Sequence, residues 1–395
     1  MKALVLGKGK SGKAAEALLC RSGFSVTVLD GEAPFPDGTF DVAVVSPGIA
    51  LDHPWIVEAK RRGIPLKSEL QLGCEELRRQ GWKLLAVTGS KGKSSVVKLV
   101  ADAIGGVACG NYGVSVCEVA RGNASRETGD RGARWAVVEV SSFMMETTTL
   151  PPDAFEAAAI LNLQEDHLDR HGTVETYHGL KRKLLTMAKR GFGPAATGMP
   201  SHRVEQEGLW RGSYFDNEIL AENAAAAVAL MRAAGLDDAR IAKAFCNFVP
   251  LPHRMNLIAE IDGVRYVDDS KATSIAALIA GVKMASSADS AVRLIAGGLP
   301  KGDDPKTAGP TLTECVRKVY LIGCCAEAFK DAWGQFVDCE VCETLERAVE
   351  RARCEAAKGE TVLLSPGTAS FDQFKSYGER GDVFADFVQK ERKDK

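Results

Sequence analysis

An apolar run, Leu84-Leu85-Ala86-Val87, leads directly into Thr88-Gly89-Ser90-Lys91-Gly92-Lys93-Ser94-Ser95, after which a helical pattern begins. A short buried strand, a glycine turn and a helix in that order commit this stretch to a βαβ unit and a parallel sheet. The turn also carries its own chemistry. Glycines let backbone N–H groups face an anion, the helix N-terminus favours negative charge, and Lys93 can bridge outer phosphates. The hydroxyl of Ser94 is placed to ligate Mg²⁺. The loop departs from the usual eight-residue phosphate pattern, because the position of its first glycine is taken by Val87. Glycine-lysine-serine also occurs in ordinary surface turns; the flanking strand and helix favour the phosphate reading.

Composition sets the limits within which this unit sits. At roughly 100–200 residues per domain, a chain of 395 residues predicts two to four domains. Hydrophobic residues make up 45% and charged residues 26%, enough apolar material for several cores. The net charge of -2 argues against a general nucleic-acid binder, which needs a basic surface. No apolar run approaches a membrane span, and Met1–Gly7 is too short for a signal peptide and runs into a glycine turn. A cytoplasmic protein is expected. The 11 cysteines form no framework, which suits a reducing compartment. Cys339 and Cys342 lie in a strand-like segment, where residues three apart face opposite sides, so they are expected to be packed thiols rather than metal ligands.

Strand runs alternate with helical stretches along the whole chain, and the expected fold is α/β with three α/β domains. The boundaries are 1–82, a Rossmann-like domain; 83–252, a shortened phosphate-loop domain; and 253–395, a second Rossmann-like domain. Leu66–Trp82 and Val249–His253 read as linkers, the second marked by Pro250 and Pro252. Arg190–Arg211 is rich in glycine and proline and reads as loop. Ala221–Ala234 reads as helix.

Several strand ends carry chemistry. Gly7-Lys8-Gly9-Lys10-Ser11-Gly12 follows the first strand, and Asp30 ends the second. This matches the dinucleotide fingerprint, a glycine turn under a diphosphate with an acid near a ribose. Taken alone it makes a dinucleotide-dependent oxidoreductase a rival reading; a diphosphate on another nucleoside suits the same geometry. Glu139 follows the strand Ala136–Val138 like a carboxylate that anchors Mg²⁺, and His167 follows Ala157–Leu161, where a second metal would lie. Lys271, Lys301 and the hydroxyl-rich turn Ser365–Ser370 cluster at three strand ends of the last domain, a pattern suited to an anionic small molecule.

With these pieces in order, the sequence resembles the Mur ligases, the ATP-dependent amide ligases of peptidoglycan precursor assembly. The segments Ser46–Ile49, Gly110–Gly113, Glu139–Phe143, Glu165–Arg170, Leu251–Arg254, Asp269–Thr273 and Ser365–Phe374 fall in the family's order. The stretch Ser370-Phe371-Asp372-Gln373-Phe374 points to the D-glutamate-adding branch; a sibling adding another amino acid is the nearest alternative.

The resemblance implies roles. Gly9, Ser11, Gly12 and Asp30 would bind UDP-N-acetylmuramoyl-L-alanine, with Asn111 near the sugar-linked substrate or the phosphates. Gly89, Gly92, Lys93, Ser94 and Ser95 would bind ATP, together with Asn223 at adenine, Arg254 at the phosphates and Asp269 at the ribose. Ser94, Glu139, His167 and Lys181, the last as a carbamate, would serve Mg²⁺; Lys93, Glu139, His167 and Lys181 would be the catalytic set. Thr273, Lys301, Ser370 and Tyr377 would receive D-glutamate. The implied reaction passes through an acyl phosphate, and the implied state is a monomer with no membrane or nucleic-acid partner. The sequence departs from the family where a histidine-asparagine pair would fall on Ile219 and Leu220, in the short segment between Lys181 and Asn223, at Tyr377, and at Leu299-Pro300 before Lys301.

Overall fold

The computed structural model describes residues 1–122, 133–194, 207–217, 220–286 and 291–393. Three α/β sheets follow one another along the chain, and the chain divides into two compact units, Met1–Phe248 and Val249–Lys395.

The first unit holds two parallel sheets. One contains β1 (Lys2–Leu6), β2 (Ser25–Leu29), β3 (Val42–Val45) and β4 (Leu66–Ser68) in the order β2-β1-β3-β4. The other contains β5 (Lys83–Thr88), β6 (Val107–Gly110), β7 (Trp135–Glu139), β8 (Ala157–Ile160) and β9 (Gly191–Phe192) in the order β6-β7-β5-β8-β9. Strand periodicity divides the core. Ala3 and Val5 of β1 face a cluster shared with Leu84 and Ala86 of β5, while Leu4 and Leu6 face a second cluster with Trp55 and Ile56. One continuous core therefore joins the two sheets.

The second unit is a six-stranded sheet of β10 (Asn256–Ile261), β11 (Val264–Asp268), β12 (Val292–Gly297), β13 (Val316–Ile322), β14 (Asp338–Glu343) and β15 (Thr361–Leu364). Its order is β10-β11-β15-β12-β13-β14, parallel except for the antiparallel β10–β11 pair. Both faces are covered: Leu294 and Ala296 of β12 join one cluster, Ile295 the other.

Each sheet reverses its strand order beside one central strand, and ligands of open α/β sheets bind in the crevice at the carboxyl ends there. Those reversals fall beside β1, β5 and the β15–β12 neighbours. Each is followed by a glycine- or hydroxyl-bearing turn singled out in the sequence.

Two expectations change. Leu66–Trp82 is no linker: it supplies β4 and the helix Glu69–Arg79, capped by Ser68 Oγ on the Gln71 amide. Its apolar face, Leu70, Cys74 and Leu77, enters the shared core, and this burial overrides its polar composition. The hairpin partner β10 also went unread; Ile258, Ala259 and Ile261 pack on one core cluster, and a bulge between Leu257 and Ala259 breaks their alternation. Residues 195–206 of the expected loop Arg190–Arg211 lie outside the described residues, as does Ile219. Cys339 and Cys342 join opposite core clusters, as their spacing requires.

Candidate functional site

The turn after β5 is held from three sides. Asn162, just past β8, accepts from the Lys91 amide at 2.8 Å and donates to the Lys91 carbonyl at 3.0 Å, a two-point clamp on the backbone of one residue. Ser90 Oγ receives the Gln164 amide at 3.0 Å and lies 3.2 Å from the Tyr177 hydroxyl. Gly92, at φ 82°, opens the helix Lys93–Ile104. Only glycine suits it twice over: the backbone is left-handed, and a Cβ would meet the amide of Asn223, buried beside it. Lys93 Nζ folds back onto the carbonyls of Gly89 (2.8 Å) and Ser90 (3.1 Å). Ser94 and Ser95 lie in the first turn of that helix, where backbone amides have no intrahelical acceptor.

Around this turn the structure gathers Glu139, Asn111, Lys181 and His167. Glu139 ends β7 and is buried; its Oε1 accepts from Asn111 Nδ2 at 2.9 Å, and its Oε2 is buried with no hydrogen-bond partner. Lys181, on the helix Val174–Leu185, donates to the same Gly89 carbonyl at 3.0 Å and lies 4.4 Å from the Tyr177 ring centre. Burial, reinforced by the nearby Lys93 charge, pushes its ammonium down to about 7. His167 takes the left-handed conformation (φ 55°) at the start of a one-turn helix and is exposed, its ring 4.8 Å from Phe143. Among the described residues, no group of three or more His, Cys, Asp and Glu side chains converges as a metal cage. Sequence reading missed His171, buried and bonded to Ser142, and Asn162, whose clamp on Lys91 becomes visible only when β8 lies beside β5.

The turn after β1 is built for close approach. A Cβ on Gly12 would collide with the Gly7 carbonyl, so the helix Lys10–Arg21 can start immediately behind the strand only with glycine there. Ser46 Oγ donates to the Gly7 carbonyl at 3.1 Å and locks the turn to the segment after β3. Gly9 caps the helix and Ser11 lies in its first turn; Asp30 is exposed just past β2.

In the second unit the sequence-singled turns meet at the switch point. Lys301 Nζ donates to Thr273 Oγ1 at 3.2 Å. The Leu299–Ala369 bridge sets the Lys301 turn beside buried Ser370. Tyr377 is partly exposed, with Lys271 Nζ 3.6 Å above its ring centre. Asp269 is buried, accepting from Ser365 Oγ at 2.9 Å, and desolvation pushes its carboxyl up to about 7. Arg254 adds a favourable charge toward it. Arg380 is the residue sequence reading missed. Fully buried, it donates to Ser270 Oγ and to the carbonyls of Ser270, Thr368 and Ala369, tying two of the turns together. No spacing in the sequence marks it, because its partners lie about 110 and 11 residues away.

The site geometry now meets independent likeness. The Mur ligase middle domain matches residues 87–193, and the Mur ligase glutamate ligase domain matches 253–367. A protein of Koribacter versatilis named UDP-N-acetylmuramoylalanine–D-glutamate ligase is 33% identical, covering 98% of this chain and 97% of that relative. The chain belongs to the Mur ligase family. A second relative of the same name, from Nitratidesulfovibrio vulgaris, is 34% identical over 98% of this chain and 96% of its own length. The crystal structure of MurF ligase from Thermotoga maritima in complex with ADP shares the fold, with a TM-score of 0.58 and 15% identity over 99% of this chain and 95% of that one. The first alignment runs over 458 positions against a chain of 395 residues, so that Mur ligase carries segments this one lacks.

Proposed function

We propose that this Mur ligase joins D-glutamate to UDP-N-acetylmuramoyl-L-alanine at the expense of ATP, through an acyl phosphate, as a cytoplasmic monomer in peptidoglycan precursor synthesis. The observation that carries the reading is the convergence of Lys93, Lys181 and the Glu139 carboxylate on one phosphate-loop edge, in a chain matching D-glutamate ligases end to end. The domains we assign are 1–82 for the UDP-substrate, 83–252 for ATP and 253–395 for the amino acid.

The residues fit Mg²⁺. A buried carboxylate oxygen without a donor, Glu139 Oε2, suits a hard cation, and Ser94 adds a hydroxyl. His167 and Lys181 would serve a second ion, the lysine only as a carbamate, since an ammonium repels a cation. When bound, Mg²⁺ would neutralise charge on the transferred phosphoryl group. A pKa of about 7 leaves roughly half of the Lys181 amine neutral at pH 7. Its lone pair can then bond to the carbon of CO₂, releasing one proton to solvent and leaving an anionic carbamate.

The chain's own residues then have these tasks. Gly9, Ser11 and Gly12 hold the UDP diphosphate, so the fingerprint serves UDP rather than a dinucleotide, with Asp30 toward the uracil end and Asn111 toward the sugar. The alanyl carboxylate attacks the γ-phosphorus, the bond to ADP breaks, and Lys93 exchanges its two carbonyl contacts for phosphate oxygens. Asn223, Arg254 and Asp269 orient the nucleotide. Lys301 and Thr273 take one carboxylate of D-glutamate, and Ser370 and Tyr377 shape the rest of its site. Its amine attacks the acyl carbon, phosphate leaves, and the amine loses a proton.

An amino-acid panel in a phosphate-release assay tests the assignment. Release should require ATP, the UDP-substrate and D-glutamate together. Turnover with another amino acid and none with D-glutamate would make the chain a sibling ligase. Saturable tight binding of NADH would revive the oxidoreductase reading.

A further inference from the structure

A line of buried polar and aromatic contacts outside the proposed catalytic set connects the two sheets of the first unit. It starts at Ser46–Ile49, the segment after β3. There Ser46 bonds the Gly7 carbonyl, and the Ile49 side chain lies close to Gly7. Arg170 Nη2 donates to the Ile49 carbonyl at 2.7 Å and reaches that of Pro47 at 3.5 Å. The same guanidinium grips Glu146 at two points, Nε to Oε1 at 3.0 Å and Nη2 to Oε2 at 2.6 Å.

The line continues toward the phosphate loop. Glu146 Oε1 lies 3.3 Å from His171 Nδ1, and His171 Nε2 is hydrogen-bonded to Ser142 Oγ at 2.9 Å. The His171 ring is stacked between Phe143, at 5.2 Å and 27°, and Tyr177, at 5.6 Å and 29°. Tyr177 in turn meets Ser90 of the phosphate loop and lies under Lys181.

We infer that Arg170, Glu146 and His171 are positioning residues that couple the segment Ser46–Ile49, and with it the glycine turn after β1, to the phosphate loop at Ser90. The physical ground is that each link has little freedom. A two-point guanidinium–carboxylate pair fixes both partners in plane, and buried groups that lose a partner carry a full desolvation penalty. A ring stacked on two aromatics, bonded at Nε2 and facing a carboxylate at Nδ1, has little room to rotate or shift alone. A ligand that settles the Gly7–Ser46 side therefore biases the placement of Tyr177 and Ser90, and nucleotide at Ser90 biases the other end equally. None of the three residues needs to touch either ligand. The inference rests on the proposed placement of the UDP-substrate at the glycine turn.

The test is a thermodynamic cycle on the full chain. Affinity for a non-hydrolysable ATP analogue with Mg²⁺ is measured by calorimetry with and without UDP-N-acetylmuramoyl-L-alanine. The wild type should show a change of about fivefold or more, the low end of ordinary coupling. Arg170→Lys, which keeps the charge but loses the two-point grip, and Arg170→Ala should bring that ratio to near one while nucleotide affinity alone stays within about twofold. A ratio near one in the wild type, or an unchanged ratio in both variants, overturns the coupling. If the wild type binds nucleotide but not the UDP-substrate, the proposed function fails. The coupling is then decided by hydrogen exchange at the Gly48 and Ile49 amides: nucleotide should slow it in the wild type and not in Arg170→Ala, and no slowing in the wild type overturns it.

Discussion

Lys181 stands where a cation is disfavoured, buried and close to a second ammonium. Its folded-state pKa of about 7 lies below the ordinary 10.5, so between those values the unfolded chain binds a proton that the folded chain does not. Stability therefore rises with pH across that window, and the cost of the buried charge is fully present below pH 7. In CO₂-depleted buffer, Lys181→Met should be more stable than wild type at pH 7, with the advantage fading towards pH 10; urea midpoints measured at both values check this. The same position should govern turnover. Lys181→Ala should lose most activity and regain part of it with added short carboxylates, and a fully active variant would remove the carbamate from the mechanism. Arg380 is also a cation that burial disfavours, its pKa pushed down to about 10, but its guanidinium has four protein acceptors. Arg380→Met takes the guanidinium donors from those oxygens, with the Ala369 carbonyl still held by the Leu299 amide, and should destabilise the second unit by about 1–3 kcal/mol, read from chemical denaturation.

At the scale of elements, the phosphate loop is shaped by its neighbours as much as by its glycines. Asn162 comes from the end of β8 and Asn223 from the helix Ala221–Ala233, and both press on residues 91–92. Asn162→Ala removes two hydrogen bonds from the Lys91 backbone, and at about 1 kcal/mol each nucleotide should bind up to roughly thirtyfold more weakly in a calorimetric titration. Gly92→Ala adds both left-handed strain and a clash with Asn223, and nucleotide binding should be lost altogether. The apolar strand runs, the glycine turns and the alanine-dense helix were legible from local composition and turn residues. The helix Glu69–Arg79 was not. Its buried stripe of Leu70, Cys74 and Leu77 is narrow, with Leu72 beside it, and most other positions are charged or polar, so composition suggested a linker. The strand β10 hid for a different reason, since a bulge between Leu257 and Ala259 shifts its alternation by one residue.

On the scale of the whole molecule, the proposed substrate residues are divided between two compact units, with Lys93 and Glu139 on one and Lys301 and Ser370 on the other. The sequence by itself determined the kind of sheet, the phosphate loop and the order of chemical turns, because strand and helix periods and turn residues are local properties. Only the tertiary structure decided what holds those turns: the Asn162 clamp, the Arg380 tie, and the line from Ile49 through Arg170 and His171 to Ser90. Their partners are brought together by parallel strands with long crossovers, and a contact between residues tens of positions apart leaves no period in the sequence to read.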